Sequence, residues 1–288
     1  TDPGRFDEAN AAELVLWEFT DGDDPDLGYT FNQPSINDLT GQSAQIAGMN
    51  NGRWGLIVGN GYNSVGAGEA AAQATGEAAL FVLFIEGGED GGWAANDYVK
   101  LLTGAGSPSA PNGLSTPTPE DIDGDGDIDI AYAGDLEGNL WKFDLTDASP
   151  SNWTAARLFA AVGPSGDPQP ITTAPVVSPH PDGGRMVGFG TGKYLDNGDP
   201  QDTDIQTLYG IWDDQSGGRT SAVTGRGALV AQEVLGVANV SGVDYRVTTD
   251  NPVDFAQKRG WFMDLPDGGG VLTEGDGEPM KCGTPYAL

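Results

Sequence analysis

The nine residues Asp121, Ile122, Asp123, Gly124, Asp125, Gly126, Asp127, Ile128 and Asp129 put a carboxylate at every second position around two glycines. They fit the pattern D-x-D-x-D-G-x-x-D, the front of an EF-hand type loop. The chemistry this favours is capture of a hard cation. Ca²⁺ takes roughly six to eight oxygens near ~2.4 Å, and a tightly wound loop can turn alternate side chains toward one centre. On this reading Asp121, Asp123 and Asp125 point inward, Gly126 allows the sharp turn, Asp127 offers its carbonyl, and Asp129 closes the ring. Five carboxylates in nine residues repel one another strongly unless a cation sits among them. Mg²⁺ fits less well, because it demands strict octahedral geometry and keeps its water. A full EF-hand carries a bidentate Glu at its twelfth position. Here that position is Tyr132, and Ile128 to Ala133 alternates as a strand, so no helix–loop–helix hand is predicted.

Other groups with chemical potential are weaker. The stretch from Asp196 to Asp204 is acidic but irregularly spaced and holds Pro200, so it reads as a solvated loop, as do Asp23-Asp24 and Asp213-Asp214. His180 is the sole histidine and lies in Ser178-Pro179-His180-Pro181, a turn setting that supports neither a triad nor a multi-histidine metal site. Gly188 to Lys193 is faintly similar to a phosphate loop, but its spacing is incomplete and no helix pattern follows. Carboxylate pairs are too abundant for any one of them to indicate glycosidase chemistry. Cys282 is the only cysteine, which excludes an internal disulfide and a thiolate metal cage within this chain. No catalytic residue and no organic-cofactor residue is therefore expected.

The elements that must position the loop follow from composition. The 288 residues include 45 glycines and 19 prolines, with only 19% charged, a profile of many short strands joined by tight turns. Seven Trp, eight Tyr and ten Phe lie within regular apolar runs and supply a core. The net charge of −30 would repel a polyanionic duplex, so nucleic acid is not an expected partner. No apolar run approaches the ~18 residues that cross a bilayer as a helix, and the first thirty residues lack a signal-peptide pattern. The opening TDPGRFDEAN reads as a cut inside a longer protein.

Three strips align by pattern. Each has a Pro-marked start (Gln33-Pro34-Ser35-Ile36, Ser115-Thr116-Pro117, Ala174-Pro175-Val176-Val177). An apolar strand then runs into a Gly-rich turn (Gly55 to Gly61, Ile128 to Gly134, Met186 to Gly192). An alternating aromatic strand follows (Ala79 to Glu86, Asn139 to Leu145, Thr207 to Trp212), and outer segments such as Tyr98 to Leu102 and Ala156 to Ala160 complete the unit. A four-stranded sheet cannot cover both of its own faces, so such units stack radially. The predicted fold is an all-β β-propeller, partial or modified, of four-stranded antiparallel blades. A β-sandwich gives no reason for this recurrence. Leu14 to Phe19 is expected as the outer strand of a preceding blade, and Gly260 to Leu265 as a strand of a following one. The predicted division is an N-terminal extension 1–13, a propeller 14–266 with its calcium loop at 121–129, and a tail 267–288.

Several blocks resemble, in order, the C-terminal propeller of the PilC/PilY family of type IV pilus biogenesis factors and tip adhesins. They are Leu16-Trp17-Glu18-Phe19, Asp26 to Thr30, Gly59 to Ser64, Asn112 to Ser115, Tyr132 to Asp144 and Gly260 to Pro266. The resemblance implies a propeller with one calcium site, mapped onto Asp121, Asp123, Asp125, Asp127 and Asp129, that helps govern pilus extension against retraction. It also implies minor pilins and a host or surface receptor as partners, at the pilus tip or outer envelope. Two other readings are a generic calcium-stabilised extracellular propeller for partner binding and a quinoprotein-like dehydrogenase. The second needs an axial cofactor pocket, and many such enzymes use a vicinal cysteine pair that Cys282 alone cannot supply.

Overall fold

The computed structural model describes residues 7, 10, 15–33, 36–37, 42–43, 45–65, 73–215 and 222–265. The tail 267–288 with Cys282, most of the extension 1–13, and Pro34-Ser35 lie outside them. A short ribbon, β1 (Ile36–Asn37) with β2 (Gln42–Ser43), precedes the first blade. That blade contains β3 (Ile46–Met49), β4 (Trp54–Gly59), β5 (Glu77–Phe84) and β6 (Tyr98–Gly106), antiparallel in the order β6-β5-β4-β3. Next along the chain come β7 (Thr118–Glu120), β8 (Asp127–Ile128), β9 (Ile130–Gly134), β10 (Asn139–Asp144) and β11 (Thr154–Ala160). The second blade is β11-β10-β9-β7, whereas β8 leaves it and pairs parallel with β3 of the first. The remaining strands are β12 (Val176–Pro179), β13 (Arg185–Gly190), β14 (Thr207–Asp213), β15 (Val230–Gln232), β16 (Val234–Val240), β17 (Val243–Thr248) and β18 (Gly260–Asp264). The third blade is β12-β13-β14-β18 with β15 added parallel to β18, and β16-β17 is a separate hairpin.

The strand order repeats because the middle strands are apolar on both sides. Along β9, Ile130 and Tyr132 enter a core shared with Val187, Phe189, Tyr209 and Ile211 of the third blade. The alternate residues Ala131 and Ala133 enter the core shared with Met49, Ile57, Leu80 and Val82 of the first. Period-2 alternation therefore sends successive side chains of one strand into two different seams. The second blade has no solvent face along β9 and β10: β9 is an unbroken apolar run, and β10 is buried from Asn139 to Phe143 with Lys142 among its apolar residues.

Two expected elements fall elsewhere. Residues 15–20 form no strand; they lie across the first blade, with Trp17 Nε1 donating to Ile85 O at 2.7 Å and Phe19 edge-on to Phe81, Trp93 and Tyr98. Aromatic packing and two side-chain hydrogen bonds, the second from Trp93 Nε1 to Glu18 O at 2.7 Å, hold this segment, with no ladder. The Gly260–Asp264 strand belongs to the third blade itself, opposite β14. Gly210 makes the place for it: a Cβ there would meet the Trp261 indole nitrogen at 2.5 Å.

The acidic pairs expected to be solvated are partly buried. Asp24 and Asp26 are 4% and 1% exposed and both grip Lys100 Nζ, at 2.8 and 2.7 Å. Burial, reinforced by the Asp24 hydrogen bond, pushes the neighbouring Tyr98 phenol up to about 12. Asp199 is buried too, accepting from the backbone of Leu195 and Asp196 and pairing with Lys193. Asp213, 2% exposed, lies in the seam between the second and third blades, where Lys142 Nζ approaches at 2.6 Å and Tyr132 Oη donates at 2.7 Å. A charge in such a place costs several kcal/mol of desolvation, and the geometry offsets it only while both partners are present. Asp213→Ala is therefore expected to lower stability by about 3–5 kcal/mol, because it leaves the Lys142 ammonium buried and unpaired. Urea unfolding of the variant against the parent chain measures this; a loss below ~1 kcal/mol would show that Lys142 escapes to water.

Candidate metal centre

The loop between β7 and β9 is built from short side-chain-to-backbone bonds. Asp121 accepts from Gly124 N at 2.6 Å and from Gly126 N at 2.9 Å. Asp123 accepts from Asp125 N at 3.2 Å, and Asp125 from Asp127 N at 2.9 Å. Carboxylates that bond to backbone N–H groups two to five residues ahead wind the chain into consecutive turns. Gly124 and Gly126 take φ of 84° and 100°, a region that penalises any Cβ. At the loop's end Asp129 is stitched into both neighbouring strands: its N–H donates to Glu120 O at 3.0 Å and its carbonyl accepts from Leu145 N at 2.8 Å.

The five sequence-derived aspartates separate into two groups. Asp121, Asp123 and Asp129 each bring one carboxylate oxygen within 4.8 Å of the others. Two oxygens bound to one Ca²⁺ at ~2.4 Å lie at most about 4.8 Å apart, so this spacing and this all-oxygen donor set suit that ion. Asp125 and Asp127 do not bring their carboxylates into the group. The Asp127 carboxylate lies over the backbone of Gly48 in the first blade, where a Cβ at residue 48 would meet Asp127 Oδ1 at 2.1 Å. Partial burial, reinforced by the negative charges of Asp125, Asp121, Asp129 and Asp123, raises the Asp127 carboxyl above its ordinary pKa. Glu120, just before the loop, is turned toward the third blade by Arg185 at 3.1 Å and is engaged there. Of the three gathered aspartates only Asp129 is buried, at 6% exposure, and Ile122 N donates to its Oδ2 at 2.8 Å.

Sequence reasoning missed Asn50, whose side-chain amide donates to Asp129 Oδ1 at 3.2 Å. It lies in a turn of the first blade, and nothing in local spacing connects it to the loop. Asp135 was also passed over as an organiser. Fully buried, it accepts from Asn112 Nδ2, Asn139 Nδ2 and Trp141 Nε1 on one oxygen and from Glu137 N and Asn139 N on the other. Five donors replace water around that charge and fix the turn that leads into β10. His180 sits in the turn after β12, its ring packed on Trp212 and Phe255, with Nδ1 accepting from Asp182 N. No second histidine exists to build a histidine metal site.

Fold and loop together define a β-propeller that carries an acidic, oxygen-only loop between two strands of one blade. The model of the PilY1 β-propeller domain matches residues 5–242, and the chain belongs to that family. A Xylella fastidiosa protein described as a type IV pilus biogenesis factor PilY1 homolog is 35% identical over 275 residues, which is 92% of this chain and 17% of that protein. The Pseudomonas aeruginosa type IV pilus biogenesis factor PilY1 is 34% identical over 287 residues, covering 87% of this chain and 22% of its own length. The crystal structure of the P. aeruginosa PilY1 C-terminal domain superposes with a TM-score of 0.71 at 34% identity, over 87% of this chain and 53% of that one. The chain thus spans about a fifth of the length of these curated relatives. Among the described residues no helix is long and apolar enough to cross a membrane.

Gly126→Ala tests the loop's backbone. No neighbouring atom obstructs a Cβ there, so only the left-handed φ opposes the change. A loss of about 1–2 kcal/mol is expected in chelator, read from thermal or urea unfolding. A neutral result would show that the turn adopts another conformation.

Proposed function

We propose that this propeller binds one Ca²⁺ in the loop at 121–129 and acts as a regulatory and binding module of a type IV pilus, without catalysis. The observation that carries the reading is the convergence of Asp121, Asp123 and Asp129 on a loop wound around Gly124 and Gly126, in a chain of the PilY1 propeller family. The side chains of Asp121, Asp123 and Asp129 supply the gathered oxygens. Asp127 contributes its carbonyl, and Asp125 completes the set by its own oxygen or through a water. Bound calcium would neutralise the mutual repulsion of these groups and tie the start of β9 to the end of β7.

The site works as a clasp. Ile130 and Tyr132 follow Asp129 directly and pack into the seam with the third blade, so the order of the loop sets how firmly that strand start is held. Presentation of the adjoining β9–β10 surface to minor pilins then depends on ion occupancy, and through it the balance of pilus extension against retraction. On this reading the protein acts at the cell surface, at the pilus tip or outer envelope, with a host or surface receptor as its further partner.

Isothermal titration calorimetry on the chelator-stripped protein is expected to show one site, with Asp129→Ala weakening it more than tenfold. Calcium at ~100 times its dissociation constant should raise stability by about 2.7 kcal/mol. Unchanged binding in Asp129→Ala would overturn the assignment.

Chelation is expected to raise amide exchange between residues 120 and 144 while the third blade keeps its protection. In cells, Asp121→Ala and Asp129→Ala should change surface piliation at unchanged protein level. A uniform rise in exchange would make the ion a global stabiliser, and normal piliation in both variants would remove the regulatory role.

A further inference from the structure

Asn50 lies 79 residues before Asp129 in the chain and on a different blade. Its Nδ2 faces three oxygens: Ile128 O of β8 at 3.0 Å, and Asp129 Oδ1 and Leu145 O of the second blade, each at 3.2 Å. Three acceptors around one atom settle which end of the amide points there, since a carbonyl oxygen in that place would meet only lone pairs. Asp129 thus has each carboxylate oxygen held from a different side, Oδ2 by Ile122 of its own loop and Oδ1 by the neighbouring blade.

The platform beneath Asn50 is rigid. Met49 and Ile128 are register partners in the β3–β8 pair, and both enter the core between the first two blades. The turn closes through Met49 N to Arg53 O at 2.9 Å and Gly52 N to Met49 O at 2.7 Å. Arg53 in turn stacks over Phe84, 3.7 Å from its centroid. The donor chemistry is apt as well. A neutral amide orients a carboxylate without a positive charge that would compete with a cation, whereas lysine or arginine at this position would form the ion pair in the cation's place.

We infer that Asn50 is a positioning residue for the metal centre, so that ion binding in the second blade is linked to the amide contact that the first blade's turn makes with Asp129. The inference rests on the calcium reading above. Linkage makes the coupling reciprocal: whatever loosens the Asn50 contact weakens the ion, and removal of the ion loosens the turn at residues 48–53. Partners that orient a metal ligand in this way typically contribute 10–100-fold in affinity.

The test compares calcium affinity and calcium-dependent amide exchange in the full chain with Asn50→Ala and Met49→Ala. Asn50→Ala is expected to raise the calcium dissociation constant 10–100-fold and to abolish the calcium-induced protection of residues 48–53 seen in the parent. Met49→Ala thins the apolar packing of the same seam but leaves the Asn50 amide contacts in place, and its dissociation constant should stay within about threefold of the parent's. If Asn50→Ala fails to fold, Asn50→Ser, which keeps a polar group at the seam but falls short of Asp129, carries the same expectation. Unchanged affinity in the Asn50 variant, or equal weakening in Met49→Ala, overturns the positioning role while leaving the calcium site standing. A parent chain that binds no calcium removes the earlier reading and this one with it.

Discussion

The second blade is apolar on both faces, and most of the molecule's organisation answers that constraint. β9 sends Ile130 and Tyr132 one way and Ala131 and Ala133 the other, and β10 does the same with Leu140 against Trp141 and Phe143. A sheet with two apolar faces can be kept from water only by a neighbour on each side, and burial at ~25 cal/mol per Å² of apolar surface drives that stacking. Small alanines on the side toward the first blade leave room for the bulky side chains that meet them there. The first and third blades dock on the second, one on each of its faces.

Seams this apolar make their polar groups conspicuous. A chain with a net charge of −30 cannot keep every carboxylate in bulk water once strands stack. The buried ones fall into distinct solutions. Asp135 is surrounded by five neutral donors, whereas Asp213 and the pair Asp24 and Asp26 each hold a lysine. Both arrangements fix geometry at the ends of strands, where hydrophobic packing alone would allow slippage. The acidic loop at 121–129 is a third case, with carboxylates crowded near a seam and satisfied only in part by backbone donors.

Its position explains its reach. The loop starts at the edge of the second blade, lends β8 to the first, and returns as β9 into the seam with the third. Asp129 stands where these paths cross, bonded through its backbone to Glu120 and Leu145 and through its side chain to Ile122 and Asn50. A cation held there, as proposed, would act on a junction between blades as well as on a turn.

Much of this was legible in the residues themselves. Period-2 apolar strands punctuated by glycine and proline determined an all-β repeat. The spacing of aspartates around Gly124 and Gly126 marked the loop, because side-chain periodicity and the demand for positive φ are local properties. Blocks such as Tyr132 to Asp144 pointed to the family, and the buried hydrogen bonds of Asp135 explain that block. What only the tertiary structure decided was the set of contacts between distant segments. Residues 15–20 became an aromatic cover instead of a strand, and Gly260–Asp264 closed the third blade because Gly210 leaves a slot for Trp261. Asp24, Asp199 and Asp213 went inside because a lysine waited for each. Asn50 reached Asp129 for a similar reason: the register of β3 on β8 is set by blade packing, and the identity of a single residue carries no record of which strand will lie beside it.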